Sequence, residues 1–143
     1  MAIDDRSATY DRQTAELMAR LLRPDSNCVD VGAHTGAILQ HMVEFAPRGA
    51  HHAFEALPHL AAALATRFPG VTVHQAAVGD AAGEADFHFV ENDPGYSGLR
   101  RRLYDRPDPR IRLLRVRVVT LDQAIPATAP VASVKIDIEG GEY

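Results

Sequence analysis

The sequence predicts an open α/β fold built on a mostly parallel sheet. Three observations carry that expectation. Strand-like apolar stretches alternate with segments of helical periodicity through the first 80 residues. That β-α-β-α-β order implies parallel strands joined by right-handed crossovers. A turn bearing Gly32 and Gly36 directly follows the first strand and opens a helix, the place where such sheets admit a ligand to the backbone. Glu55, 19 residues beyond Gly36, stands at the end of the second strand.

The elements follow in order. Residues 10–22 place Tyr10, Leu17, Met18, Leu21 and Leu22 at helical spacing; Ser7 or Thr9 is the expected cap and Pro24 the stop. This N-terminal segment, 1–26, is expected to pack beside the sheet or over the cleft at its strand ends, with residues 27–143 forming one domain. Val29 and Val31 are β-branched and mark a short buried strand. Residues 37–45 form a helix carrying Ile38, Leu39, Met42, Val43 and Phe45, which Pro47 and Gly49 end. Residues 51–55 are the second strand. Pro58 fits the first turn of a helix running through Phe68, with Leu60, Leu64 and Phe68 on one face and Pro69-Gly70 behind it. Residues 71–78 are the third strand, with Gly79-Asp80 as a turn.

Beyond Gly83 the pattern changes. Residues 85–90 read as an added strand, and 91–110 as a long polar loop holding Pro94-Gly95, Gly98, Pro107 and Pro109. Residues 111–120 partly alternate apolar and basic side chains, as a half-exposed antiparallel strand does. Thr120 and Gln123 sign a capping box for a short helix, and Pro126 and Pro130 bracket a linker. Residues 131–138 form an apolar strand interrupted by Ser133 and Lys135, ending in Asp137, Glu139, Gly140 and Gly141. The expected architecture is three-layered α/β/α, strand order 3-2-1-4, with an inserted antiparallel strand pair.

Composition sets the class. The 143 residues are 46% hydrophobic and 24% charged, those of a water-soluble domain. A net charge of −4 gives no reason to expect nucleic acid or a membrane surface as partner. One cysteine, Cys28, excludes an intrachain disulfide and a zinc cluster; at a strand start it reads as a small buried hydrophobe. No apolar run approaches ~20 residues, the first residues are charged rather than signal-like, and a cytoplasmic setting is the default.

The glycine turn carries the chemistry. Gly32 and Gly36 stand four apart with Asp30 two before the first, which is not G-x-G-x-x-G. A carboxylate beside the turn would repel a pyrophosphate but suits a ligand with an ammonium and a sulfonium, as S-adenosylmethionine (SAM) has. The plainer alternative is an ordinary strand-to-helix turn. Glu55 could accept both hydroxyls of a ribose; its plainer role is capping the following helix.

Five blocks occur in order: V-D-V-G-A-H-T-G (29–36), F-E-A-L-P (54–58), Q-A-A-V-G-D (75–80), V-V-T-L-D (118–122) and V-K-I-D-I-E-G-G-E (134–142). Together they resemble the FkbM family of SAM-dependent methyltransferases over residues 27–143, the last two blocks being the more family-specific. The resemblance implies a Rossmann-like class I methyltransferase that moves a methyl group from SAM, usually to a hydroxyl of a sugar or polyketide-like natural product. On that resemblance Asp30, Gly32 and Gly36 would hold the methionine part, with Ala33 and His34 of the same turn also cofactor-binding. Glu55 would hold the ribose, Ala56 beside it would also be cofactor-binding, and Ala76 and Ala77 would lie near the adenine. Asp137 and Glu139 would face the transferred methyl and the acceptor.

An alcohol nucleophile needs a base; Asp137, Glu139 and His34 are the candidates. Asp137 and Glu139, two apart, would share a face if in a strand, yet two carboxylates alone define no metal site, and none is expected. His34 also reads as a structural loop residue, and Glu139 and Glu142 as acids suited to a helix N-terminus. Arg100, Arg101, Arg102, Arg106, Arg110, Arg112, Arg115 and Arg117 form a basic cluster. It fits an anionic substrate or, more plainly, a solvated loop and strand face. Tyr96 and Ser97 make that loop a candidate lid. Relative to a seven-stranded class I fold, the strands expected after the fourth parallel one are absent. That leaves an apolar edge open to self-pairing: either the sequence is a fragment of a longer protein, or a second chain, as in a homo-oligomer, or another element covers that edge. Two other function classes remain: a non-catalytic SAM-binding or interaction module, and an NAD-dependent oxidoreductase, which the acid before the turn disfavours.

Overall fold

The computed structural model describes residues 3–103 and 107–142. Arg106, Met1 and Tyr143, which the sequence reading used, lie outside the described residues.

Helix α1 (Ile3–Leu21) begins well before the expected start and runs through both Ser7 and Thr9, so neither caps it. Only Met18 and Leu22 of its expected apolar face join the core; Tyr10, Leu17 and Leu21 are exposed. Strand β1 (Cys28–Val31) is buried along its whole length. Helix α2 (Ala37–Phe45), strand β2 (His52–Phe54) and helix α3 (Pro58–Arg67, Pro at its first turn) follow as expected.

The expected third strand divides in two. β3 (Thr72–His74) stays beside β2, while β4 (Ala77–Val78) leaves for a second sheet. The cause is a tight turn in which the Ala76 amide donates to the His74 carbonyl at 2.9 Å. Strand β5 (Gly83–Val90) and strand β6 (Ile111–Val119) pair antiparallel, with β4 parallel to β6 on the other side. Helix α4 (Leu121–Ala124) is capped by Thr120, whose hydroxyl accepts from the Gln123 amide at 3.3 Å. Strand β7 (Ser133–Ile136) then returns to β1.

The main sheet is fully parallel in the order β3-β2-β1-β7. One face packs Cys28, Ala53 and the flanking side chains against Met18, Leu39, Met42 and Leu64 of α1–α3. The opposite face sets Val29, Val31 and Phe54 against Val119, Leu121 and Ile125. The small sheet buries Phe87, Val116 and Val118 against Leu57 and Ala77. β7 is the sheet edge, and its Val134 and Ile136 are 48% and 42% exposed, the open apolar edge the sequence reading anticipated. Among the described residues no helix is long and apolar enough to cross a membrane.

His51 braces the start of the sheet. Its Nδ1 accepts from the Cys28 amide at 3.2 Å, which leaves Nε2–H to donate to the Ala46 carbonyl at 2.8 Å. Cys28 is fully buried, and burial pushes its thiol up to about 11, consistent with an inert packing group.

Gly36, at the N-cap of α2, has φ +84°, and a Cβ there would sit 2.7 Å from the Phe68 ring and 2.8 Å from Leu64. Gly36→Ala is therefore expected to lower unfolding free energy by at least about 2 kcal/mol in urea denaturation, through left-handed strain and overpacking together.

His52 Nδ1 and His74 Nε2 lie 3.0 Å apart, and His74 stacks on Phe54 at 4.3 Å. The hydrogen bond needs one ring nitrogen to be an acceptor, and burial pushes both imidazoles below their ordinary value of 6.5. The unfolded chain takes up those protons first, so this stability is full above about 6.5 and is lost as pH falls toward the folded values. Comparing urea unfolding at pH 7.5 and 5.5, the wild type should lose more stability on acidification than His52→Gln/His74→Gln. Other acid-sensitive groups, Asp30 included, are common to both proteins.

Candidate functional site

The C-terminal ends of β1, β2 and β7 open on a cavity of about 310 Å3, at the lower end of the size range of small-molecule sites. Its floor is the turn after β1. The amides of Gly32 and Ala33 both donate to the Phe54 carbonyl, at 3.0 and 3.1 Å. Gly32 has φ +75°, and a Cβ there would fall 2.0 Å from the Asp137 carbonyl oxygen. Only glycine lets the turn lie against the end of β7.

Glu55 is buried and held at both oxygens. Oε2 accepts from the His34 amide and Oε1 from the Leu57 amide, each at 2.9 Å. Each oxygen keeps lone-pair capacity toward the cavity it lines. His34, at φ +50°, is thereby fixed in a left-handed conformation. The expected residues Gly32, Ala33 and His34 line the cavity, as do Ala56, Ala76 and Ala77. Leu57, Phe87 and Leu99 complete an apolar wall around the last three.

Two expected residues do not reach the cavity. Gly36 is spent on the contact with α3. Asp30 is 0% exposed beneath the turn, so no ligand in the cavity can touch it. It faces Lys135, its register partner on β7, whose Nζ lies 3.1 Å from Asp30 Oδ1. Neither Asp30 oxygen completes a regular hydrogen bond with the described residues. Burial pushes the carboxyl up, and the Lys135 charge pulls it back down. Lys135 also donates to the Gly32 carbonyl at 3.0 Å.

Asp137 and Glu139 both line the cavity, but not as alternate residues of a strand. β7 ends at Ile136, the Asp137 amide donates to the Val31 carbonyl at 3.0 Å, and Glu139 turns left-handed at φ +56°. Glu139 forms an ion pair with Arg102, whereas the Asp137 carboxylate carries no ion pair or hydrogen bond among the described residues. Glu142 fixes the turn by accepting from the amides of Ile138 and Gly140, at 3.0 and 2.9 Å. Burial alone would raise its carboxyl; those bonds outweigh it and hold it below the usual value.

Pro94, Gly95, Ser97 and Leu99 of the 91–110 loop form the upper wall. The buried Ser97 hydroxyl accepts from the Val90 amide at 3.0 Å, and Gly98 lies close against the Ile138 carbonyl. Two arginines of the basic cluster are engaged away from the cavity. Arg115 pairs with Glu84 and Asp86, and Arg112 with Glu91, across the β5–β6 hairpin, as the plainer reading held. Among the described residues no group of three or more histidine, cysteine or acidic side chains is placed to hold a metal.

Sequence reasoning missed Lys135 and Asp11, both cavity-lining. Lys135 carried a signal: a lysine interrupting an apolar strand calls for an acid partner. Asp11 carried none, because its position depends on how α1 docks.

The comparisons with known proteins give a family. The chain matches the family described as Methyltransferase FkbM domain over residues 30–143. Among solved structures it is similar to a candidate transferase from Pyrococcus horikoshii, at 16% identity and TM-score 0.40, over 47% of this chain and 28% of that one. It is also similar to a candidate sarcosine dimethylglycine methyltransferase from Galdieria sulphuraria, at 18% identity and TM-score 0.40, over 51% of this chain and 30% of that one. The chain thus spans less than a third of the length of either. No curated protein matches it.

Removing the lysine from the Asp30–Lys135 pair leaves a buried carboxylate alone. Lys135→Met is expected to cost about 3 kcal/mol of unfolding free energy. Asp30→Asn/Lys135→Met should cost less than that single change in the same urea titration.

Proposed function

This chain belongs to the FkbM family of methyltransferases, and from that premise we propose that the cavity binds SAM and serves methyl transfer to a hydroxyl oxygen. The acceptor class is a sugar or polyketide-like small molecule. The observation that carries the cofactor reading is Glu55, fixed at the second strand end by two backbone amides with lone pairs still turned to the cavity. A carboxylate so anchored is preorganised to accept a vicinal diol.

The rest of the wall fits the same ligand. Ala76, Ala77, Leu57 and Phe87 offer an apolar surface for an adenine ring. With Glu139 paired to Arg102, Asp11, Glu55 and Asp137 still outnumber Lys135 in the described lining, so the cavity favours a ligand of net positive charge over a diphosphate. That balance is the reason to prefer SAM to a nicotinamide dinucleotide. When bound, SAM supplies a methyl group on a sulfonium. The protein's share is orientation, exclusion of water and removal of the acceptor's proton. For the last step Asp137 is the best-placed base, since its carboxylate is unengaged among the described residues. His34 is the alternative, and Glu139 is the poorest because Arg102 holds it.

Calorimetric titration with SAM and with S-adenosylhomocysteine tests the reading. Both should bind, and Glu55→Gln should weaken both by about tenfold or more, through loss of charge-assisted bonds to the ribose. A folded sample that gives no heat with either ligand sinks it.

A further inference from the structure

The described lining of the cavity is short of cations. Among the described lining residues Lys135 is the only lysine or arginine, while Asp11, Glu55, Asp137 and Glu139 are acids. Arg102 is taken up by Glu139, so an anionic group of a ligand meets repulsion from the remaining acids and has Lys135 as the cationic side chain of the described lining to turn to. Lys135 is also held in place. It sits on a strand in register with Asp30, with its side chain 21% exposed. Its ammonium has three donors. One faces Asp30 Oδ1 at 3.1 Å and one bonds the Gly32 carbonyl at 3.0 Å. The third has no partner among the described residues, and the side chain lines the cavity.

We propose that Lys135 is the residue that recognises the ligand's carboxylate, with Asp30 holding it in position from below. The inference rests on the SAM reading, in which the amino-acid end of the cofactor supplies that carboxylate. It also reassigns the acid that the sequence singled out. Asp30 acts on the lysine and the turn, because its full burial denies it any direct contact. Neutralisation by Asp30 makes a lysine tolerable in this wall, and the Gly32 carbonyl fixes where the remaining donor stands. The rival account makes Lys135 only a brace of the glycine turn, in which case every ligand would suffer equally from its loss.

The test uses three ligands on the full chain. S-adenosylhomocysteine carries the carboxylate and ammonium. Its decarboxylated analogue keeps the ammonium alone. 5′-Methylthioadenosine has neither. By calorimetry, Lys135→Met should weaken S-adenosylhomocysteine binding by about tenfold or more and leave the other two within about twofold. Asp30→Asn/Lys135→Met, which removes both buried charges, should show the same selective loss if the single variant folds poorly. An equal loss for all three ligands, or an undiminished affinity for S-adenosylhomocysteine, overturns the assignment. If the wild type binds none of them, the cofactor reading falls and this inference with it. If the wild type binds and the loss is unselective, only the role of Lys135 falls.

Discussion

The site depends on one close approach. The turn after β1 lies so near the end of β7 that a Cβ at residue 32 would collide with the Asp137 carbonyl. That approach brings three strand ends to one place: the turn itself, Glu55 after β2 and Asp137 after β7. The Phe54 carbonyl, which accepts from two successive amides of the turn, ties it to β2. Glu55 ties it a second time through the His34 amide. The glycine serves packing first, and the shape of the cavity follows from that packing. The same holds for Gly36, whose missing side chain admits α3 and so sets the angle at which α2 leaves the turn.

Charge is partitioned across this constraint. Beneath the turn, Asp30 and Lys135 balance each other where solvent cannot. Above it, acids predominate in a wall otherwise made of small and apolar side chains. Each acid is fixed differently: Glu55 by backbone amides, Glu139 by Arg102, and Asp137, among the described residues, by its backbone alone. A carboxylate bound by amides is suited to hold a ligand, and an unengaged one is suited to take a proton. One kind of side chain thus covers several tasks through its surroundings alone.

The parallel core was legible because its signals are local. β-branched residues marked β1, glycine and proline punctuated α2 and α3, and Thr120 with Gln123 marked α4 at its true start. The departure of β4 from the main sheet was not legible. It turns on a bond between His74 and Ala76, and neither residue, nor Gln75 between them, has turn chemistry. The early start of α1 was hidden because its first turns are polar and give no periodicity to read. The site residues on strand ends were readable from order and spacing. Asp30 was misplaced because the sequence shows that an acid precedes the turn but not which face of β1 it occupies. Its register with Lys135 supplies that fact.

The carboxylates after β7 show the same limit from the other side. Alternation places residues two apart on one face only while the chain stays extended. β7 ends at Ile136, and Glu139 turns left-handed with Gly140 behind it. That turn swings Glu139 toward Arg102 and brings the 91–103 stretch down onto Ile138, where Gly98 has space for nothing larger than its hydrogen without a tight contact. The upper wall of the cavity is therefore fastened to the strand end that carries Asp137. A movement of the arginine-bearing loop must either break the Glu139 pair or carry the turn with it. The height of the upper wall and the position of the Asp137 carboxylate are consequently coupled in this fold, where an ion pair meets a left-handed residue.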